Sequence, residues 1–166
     1  MNYTGKKVIL RPMTVEDTDD IVRWRNTDYV RENFIYRGEF TREGHLNWIK
    51  TMVDTGKVVQ YIIVEKSSGN SVGSVFLRDI DQRMKTAEYG IFIGEKKALN
   101  QGYGSESAQL MVEIARKELK LNKLFLRLYE ENIGARISYE RAGFKLVESK
   151  RDIKNDKPVI FMELNL

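Results

Sequence analysis

The chain has 166 residues, of which 42% are hydrophobic and 31% are charged, a composition typical of one globular domain with a sizeable core. Its formal net charge is +4, but the basic residues are interspersed with acidic ones, which argues against a nucleic-acid-binding protein. The chain has no cysteine, and this excludes disulfide bonds, thiolate metal sites and a cysteine nucleophile.

No apolar run approaches the ~20 residues that a membrane-spanning helix needs. The first residues lead directly into a strand-like segment, without the apolar core of a signal peptide. We therefore expect one cytoplasmic domain over residues 1–166 that binds neither nucleic acid nor a membrane.

The N-terminal half is predicted to form one strand and two helices, followed by an antiparallel meander. Thr14 is a candidate N-cap, because acidic residues follow it in what would be the first helical turn. Apolar runs of strand length around the turn signal Ser68-Gly69-Asn70 predict the meander. The predicted elements are a strand over 7–11, helices over 14–26 and 42–53, and strands over 58–65, 71–78 and 86–93.

The C-terminal half is predicted to alternate helices and strands. Apolar residues at helical spacing follow Gly104, and leucines alternate with other residues over 123–129. The predicted elements are a helix after Gly104, a strand over 123–129, a helix over 133–141, and closing strands over 144–148 and 159–164. The order β-α-α-β-β-β-α-β-α-β-β predicts an α/β (α+β) fold, with a mixed sheet of about seven strands flanked by about four helices.

Two glycines, Gly102 and Gly104, lie in a short loop between a predicted strand and a predicted helix. Such a loop leaves unpaired backbone N–H groups at the positive end of the helix, which suits a phosphate or pyrophosphate. Ser107 stands where the dinucleotide fingerprint needs a third glycine, and Ser105 and Glu106 exclude a Walker loop. The alternative is that the glycines only form a tight turn.

A second motif, Asn132-x-x-Ala-x-x-x-Tyr-x-x-x-Gly-Phe144, follows downstream. Together with the glycine loop and the order of elements, it resembles the GCN5-related N-acetyltransferase (GNAT) superfamily over essentially the whole chain. The family loop begins with Arg or Gln, whereas Leu99 stands there in this chain and offers no side-chain hydrogen bond to a phosphate. The resemblance implies a mostly antiparallel sheet, a V-shaped splay between the fourth and fifth predicted strands, and an acetyl-CoA site over 86–144.

By this resemblance, acetyl-CoA lies between the splayed strands and needs no metal, because backbone amides stabilise its pyrophosphate. Asn132 is the expected N-cap of the last helix and, by family position, a contact of the pantetheine arm. Arg136 could reach a CoA phosphate, with an ion pair to Glu140 as the alternative. The implied acetyl-CoA contacts are Ile91, Phe92, Ile93, Leu99, Asn100, Gln101, Gly102, Tyr103, Gly104, Ser105, Asn132, Arg136 and Tyr139.

Acetyl transfer to an amine needs a neutral amine, a fixed donor for the oxyanion and a proton for the departing thiolate. Tyr139 is predicted to supply that proton, since a phenol is protonated at pH 7; the alternative is a packing tyrosine. A backbone N–H near Phe92 or Ile93 is the expected oxyanion donor. Glu88 is the candidate base, and the alternatives are an ordinary exposed strand carboxylate or a water chain in place of any base.

The N-terminal half is expected to bind the acceptor. The candidate contacts are Trp24, Arg25, Asn26, His45 and Trp48. His45 and Trp48 are three residues apart and therefore share a helix face. The segments W-R-N and H-x-x-W resemble the GNAT subgroup that acetylates nucleotide-linked amino sugars. The alternative assigns both tryptophans to the core and His45 to the surface.

The same half also resembles spermidine acetyltransferases and ribosomal-protein N-terminal acetyltransferases. A polyamine site would need converging carboxylates, for which Asp28, Glu32, Glu39 and Glu43 are available. From another class, the chain could be a non-catalytic CoA-binding module, although Tyr139 argues against this. We predict an acetyl-CoA-dependent N-acetyltransferase whose partner is a small-molecule amine, and a homodimer is left open.

Overall fold

An eight-stranded sheet forms the centre of the protein, and the computed structural model describes all residues, 1–166. The strands are β1 Tyr3–Thr4, β2 Val8–Pro12, β3 Val59–Glu65, β4 Ser71–Asp81, β5 Thr86–Ile93, β6 Lys123–Tyr129, β7 Lys145–Lys154 and β8 Lys157–Asn165. They lie in the order β1-β2-β3-β4-β5-β6-β8-β7, and every neighbouring pair is antiparallel except β5 and β6. The predicted mixed, mostly antiparallel sheet is confirmed, with eight strands in place of about seven.

Helices cover both faces of this sheet. They are α1 Thr18–Arg25, α2 Asp28–Arg31, α3 Arg42–Trp48, α4 Tyr103–Lys117 and α5 Ile133–Arg141, and a π-helical turn over Ile49–Val53 extends α3. The larger core forms between the sheet and α4 and α5, around Met111 and Leu124. The smaller core lies under α1 and α3, around Trp24 and Ile49. None of these helices has both the length and the apolar character that crossing a membrane requires.

The two parallel strands, β5 and β6, pair only at their first residues. The paired positions run from Thr86 with Lys123 to Glu88 with Phe125, and none follows. Beyond them β6 continues along β8, whereas β5 continues along β4, so that the facing edges of β5 and β6 are left unpaired. The splay predicted between these two strands is therefore confirmed.

The structure differs from the predictions mainly at the exposed edge of the sheet. The closing strands, predicted over 144–148 and 159–164, extend to a tight turn at Asn155 and Asp156, whose φ angles are 52° and 60°. The outer half of β7 is exposed at the sheet edge, so it has no buried face and no apolar alternation. The elements β1 and α2 are too short to develop a periodic pattern, and the sequence does not predict them.

Candidate active site

The glycine loop leads into the N-terminus of α4 with its amides free. Gly102 is the N-cap residue and has a left-handed φ of 82°, which a residue with a side chain adopts only under strain. The first helical hydrogen bond is donated by the Glu106 amide to the Gly102 carbonyl, so the amides of residues 103–105 have no helical acceptor. A Cβ atom added to Gly104 would meet no protein atom within 4 Å. The helix end therefore faces open space, as an anion site requires.

Three lysines near this loop were not anticipated from the sequence. Lys6, Lys7 and Lys66 line a surface cavity together with Gln101 and Tyr103. The Lys7 Nζ atom donates a hydrogen bond to the Gln101 carbonyl at 3.0 Å. Because Leu99 offers no polar group, Lys7 is the side chain that brings positive charge to the loop. Only the three-dimensional packing of β2 beneath α4 brings these residues together, so no local sequence pattern could have shown it.

A carboxylate holds the lysine-bearing turn in place. The two Glu106 carboxylate oxygens accept hydrogen bonds from the backbone amides of Lys6, Lys7 and Val8, at 2.6, 2.8 and 2.8 Å. Glu106 belongs to the first turn of α4, where a negative charge also interacts favourably with the helix dipole. The chain before β2 is thus fixed to the helix that follows the glycine loop.

The helix α5 lies beside this loop and carries the second motif. Asn132 is its N-cap, as predicted, and the Asn132 Oδ1 atom accepts a hydrogen bond from the Ala135 amide at 3.3 Å. The hydroxyl oxygens of Ser105 and Ser138 lie 3.2 Å apart and join α4 to α5. Arg136 Nε donates to a Glu140 carboxylate oxygen at 2.9 Å, so the ion pair considered as the alternative to a phosphate contact is present.

Tyr139 combines a packed ring with a free hydroxyl. The rings of Tyr139, Tyr89 and Phe144 form one aromatic cluster with centroids 5.7–6.0 Å apart. Burial raises the pKa of Tyr139 to about 12, so the phenol keeps its proton at neutral pH. The Tyr89 hydroxyl is sealed in the protein without a hydrogen-bond partner, whereas the Tyr139 hydroxyl is not sealed in this way. The packing role and the donor role are compatible in this residue.

Glu88 lies buried on β5 between two guanidinium groups. Arg127 Nε donates to Glu88 Oε1 at 2.7 Å, and Arg78 Nε donates to Glu88 Oε2 at 3.2 Å. Glu88 stands opposite Arg78 on β4 and next to β6, so neighbouring strands enclose it. The interpretation of Glu88 as an exposed strand carboxylate is therefore wrong. As a base, it would have to accept a proton while giving up part of this ion cluster.

Two of the predicted acceptor contacts, Trp24 and Asn26, bind other parts of the protein. Trp24 is fully buried, and its Nε1 atom donates to Glu95 at 2.8 Å, so it is a core residue and not part of an open acceptor site. The Asn26 side chain pairs with the backbone of Phe40, donating to its carbonyl at 2.8 Å and accepting from its amide at 2.9 Å. Asn26 therefore closes the loop that joins α1 to α3, and both the nitrogen and the oxygen of its side-chain amide are engaged in that role.

His45 and Trp48 lie on α3, against the sheet and α1. His45 is only 4% exposed, and its Nδ1 atom lies 3.0 Å from the Thr18 hydroxyl, so the alternative that placed His45 at the surface is wrong. Burial lowers the pKa of His45 to about 4, and the ring is therefore neutral at pH 7. Trp48 is partly buried and its Nε1 atom donates to the side chain of Gln60 at 3.4 Å.

Arg25, another predicted acceptor contact, lies among three aromatic rings, one of which belongs to β5. Its guanidinium carbon lies 3.7 Å from the ring centre of Phe34, 4.2 Å from that of Phe40 and 5.6 Å from that of Phe92. Phe92 belongs to the part of β5 that has no partner in β6. The structure thus brings together Arg25, Glu88 and the unpaired edge of β5 on the side of the sheet that α1 covers.

Comparisons with known proteins agree with this geometry. The family model described as an acetyltransferase (GNAT) domain matches residues 7–145. The "Probable N-acetyltransferase YjcK" of Bacillus subtilis is 26% identical over 148 residues, covering 84% of this chain and 81% of that protein. A spermidine N-acetyltransferase from Vibrio cholerae, in complex with CoA and spermine, superposes with a TM-score of 0.88 at 17% identity, over 97% and 96% of the two chains. A domain from Methanocaldococcus jannaschii superposes with a TM-score of 0.79 at 25% identity, over 96% and 99%.

Proposed function

This chain belongs to the acetyltransferase (GNAT) domain family and is an N-acetyltransferase, and we propose that it transfers acetyl directly from acetyl-CoA to a primary amine of a small molecule. The observation that carries the proposal is the coincidence of two binding features at one end of the sheet. The edge of β5 is unpaired beyond Glu88, and the chain continues from β5 into the free amides of α4. The acetyl-CoA site is assigned to 86–144 and the acceptor site to the N-terminal half of one domain, 1–166.

The residues present fit acetyl-CoA. Its amide-bearing pantetheine arm can pair with the open edge of β5 over residues 91–93, and its pyrophosphate suits the amides of residues 100–105. The space in front of Gly104 supports this assignment, as does the positive charge of Lys7 beside Gln101. Arg136 would contribute only by exchanging its partner Glu140 for a phosphate. When bound, acetyl-CoA supplies a thioester carbonyl that a neutral amine can attack.

In the proposed reaction the amine nitrogen bonds to the carbonyl carbon, and the bond from that carbon to sulfur breaks. The backbone amide of Phe92 or Ile93 is the proposed donor for the carbonyl oxygen as it gains negative charge. The amine loses a proton, and the sulfur takes one up. No covalent bond to the enzyme forms.

Tyr139 is the proposed donor to the departing sulfur. A phenol with a pKa of about 12 is a weaker acid than a thiol, whose ordinary pKa is near ~8.5. Complete proton transfer from the phenol to the thiolate is therefore unfavourable by itself. We propose that the Tyr139 hydroxyl stabilises the sulfur by donating a hydrogen bond, and that any phenolate formed is immediately reprotonated.

The proton of the amine leaves, in this proposal, through water and not through Glu88. Both Glu88 oxygens already accept hydrogen bonds from arginines, and protonation would weaken these ion pairs. A water chain needs no such rearrangement. Glu88 is then a residue that holds Arg78 and Arg127 on the acceptor side of the sheet.

A nucleotide-linked amino sugar is the proposed acceptor, and a polyamine is the second candidate. The polyamine is favoured by the similarity in fold to the spermidine enzyme from Vibrio cholerae. The carboxylates that could serve it are less favourable, since Asp28 and Glu32 line a shallow cavity together with Arg31 and Arg37. A ribosomal-protein N-terminus and a non-catalytic CoA-binding module are further alternatives.

The test of the function is thiol release from acetyl-CoA in the presence of amines of different classes: amino-sugar nucleotides, polyamines, amino acids and N-terminal peptides. The protein adds no thiol background because it has no cysteine. Turnover with one class would support acetyl transfer and identify the acceptor. Binding of acetyl-CoA without turnover of any amine would favour the non-catalytic module instead.

A further inference from the structure

Arg25 is a charged side chain without a counter-charge in the protein. It forms none of the protein's salt bridges, which pair eleven other cationic side chains with acidic ones. Its Nε atom is buried and has no hydrogen-bond partner. Buried charges are normally paired, and an unpartnered buried donor destabilises the folded state. Arg25 is half-buried, with its Nε atom sealed and no carboxylate partner in the protein, so it is free to pair with an anion from outside the chain.

The aromatic rings around Arg25 account for only part of its environment. Phe34 and Phe40 present their faces to the guanidinium group at 3.7 and 4.2 Å, a geometry that favours a cation. These rings offer no hydrogen-bond acceptor for the five guanidinium N–H groups. The two rings orient the guanidinium group, and its N–H groups remain available to donate hydrogen bonds to another molecule.

The neighbouring charges add to the excess of positive charge. Burial and the nearby positive charge of Arg78 lower the pKa of Arg25 to about 10, so Arg25 remains charged at neutral pH. Arg127 lies on the same side of the sheet, and Glu88 is shared between Arg78 and Arg127. Arg78 also lies 3.6 Å from the exposed carboxylate of Asp79, so Arg25 is the one of these three guanidinium groups that has no carboxylate partner.

We infer that the acceptor amine carries an anionic group, a carboxylate or a phosphate, and that Arg25 binds this group while the amine lies at the open edge of β5. The inference rests on the proposed function. A guanidinium group binds either anion through two parallel N–H donors. Phe92 links the two parts of the site, because its ring contacts Arg25 and its backbone belongs to the unpaired edge of β5. A polyamine would instead bring further positive charge to this surface, which like-charge repulsion disfavours.

The test compares acceptors that differ only in the anionic group. Glucosamine and glucosamine 6-phosphate form the phosphate pair, tyramine and tyrosine form the carboxylate pair, and spermidine represents the polyamines. The two pairs distinguish the two sources of negative charge. For each acceptor, kcat/KM is measured by thiol release with the wild-type protein, Arg25→Met and Arg25→Lys. Arg116→Met is the matched control, because Arg116 is exposed on the far half of α4.

In the wild type, at least one anionic acceptor should have a higher kcat/KM than its neutral counterpart. In Arg25→Met this preference should fall about 10- to 100-fold, the loss expected for a hydrogen-bonded charge pair. Arg25→Lys should recover part of it, and Arg116→Met should keep all of it. A preference for spermidine, or an anionic preference that Arg25→Met does not change, would overturn the inference.

Two further measurements keep the test decisive. Removal of a half-buried charge whose Nε atom has no partner should raise the Tm of Arg25→Met, whereas a purely structural role in the aromatic cluster would lower it. If no amine is acetylated, the proposed function fails, and the anion site is tested separately by binding of UDP-glucosamine with CoA at saturation. Equal binding by the wild type and Arg25→Met would then overturn the inference, and binding lost only in Arg25→Met would support it.

Discussion

Tyr139 stands edge-on against Tyr89, with ring centroids 6.0 Å apart and ring planes at 87°. Because the contact involves only the ring of Tyr139, the packing role of the ring can be tested separately from the donor role of the hydroxyl. The ring is held by aromatic packing, which phenylalanine would preserve. The hydroxyl contributes nothing to that packing and is the part assigned to chemistry.

Tyr139→Phe should lower kcat by about 100-fold, the size expected for loss of one positioned proton or hydrogen-bond donor. The Kd for acetyl-CoA and the Tm should change little, since the ring stays in place. Steady-state kinetics, acetyl-CoA titration and thermal unfolding measure these three quantities. Tyr89→Phe is the control, because it removes a buried hydroxyl without a partner and should keep kcat while raising the stability slightly. Full kcat in Tyr139→Phe would remove the donor assignment.

Gly104→Val should weaken acetyl-CoA binding by about tenfold or more while the protein stays folded. A Cβ atom added at Gly104 meets no protein atom within 4 Å, so we expect the larger side chain to obstruct a ligand at the end of α4 and not the protein itself. Valine and glycine differ by only a few tenths of a kcal/mol in helix propensity, about 0.3–0.5. Isothermal titration with acetyl-CoA measures the effect, and Gln109→Val, exposed on the same helix, is the control. An unchanged Kd would place the pyrophosphate elsewhere.

Glu88→Gln should destabilise the protein by about 1–3 kcal/mol, since it leaves two guanidinium groups without their shared carboxylate and these are only partly exposed. If water carries the amine proton away, kcat should fall less than about tenfold and its pH profile should keep its shape. Urea unfolding and kcat between pH 6 and pH 9 test the two statements. Asp79→Asn, which affects only the more exposed partner of Arg78, should change neither. Loss of the acidic limb of the profile in Glu88→Gln, the range in which the rate rises as a base loses its proton, would restore Glu88 as the base.

His45 should make the protein sensitive to mild acid. Its pKa is about 4 in the folded state and near ~6.5 in the unfolded chain, so the folded state favours the neutral ring. A lowered folded pKa gives stability that is present above the unfolded value and is lost as the pH falls from 6.5 towards 4. At pH 5 the loss is about 2 kcal/mol relative to pH 7.

Denaturant unfolding at pH 7 and pH 5 measures this loss. His45 is the only histidine, so no other histidine can contribute in this range. In His45→Gln the difference between the two pH values should shrink by about 2 kcal/mol, because glutamine does not titrate. An equal pH dependence in the two proteins would mean that His45 is not buried as neutral imidazole.

Much of the fold could be predicted because its signals are local. The strand β6 alternates leucines with Arg127 and aromatic residues, and Asn132 caps α5 through a residue three positions away. The missing parts depend on distant residues. The ion cluster of Glu88 depends on the register of β4, β5 and β6. That Arg25 has aromatic neighbours and no carboxylate partner is known only once the positions of all acidic side chains are known. The sequence shows that a glutamate and an arginine stand at these two positions. It does not show which charged side chains lie next to them.

The three paired positions between β5 and β6 join two blocks of sheet, β1–β5 and β6–β8, along a short seam. Such a seam is where a sheet bends most easily, because few backbone hydrogen bonds oppose rocking of the blocks. A ligand that adds its own amides to the open edge lengthens the seam and stiffens the whole sheet. At the end of each turnover, the hydrogen bonds between the ligand and the open edge of β5 would have to break before the ligand leaves, and the sheet would then regain its flexibility.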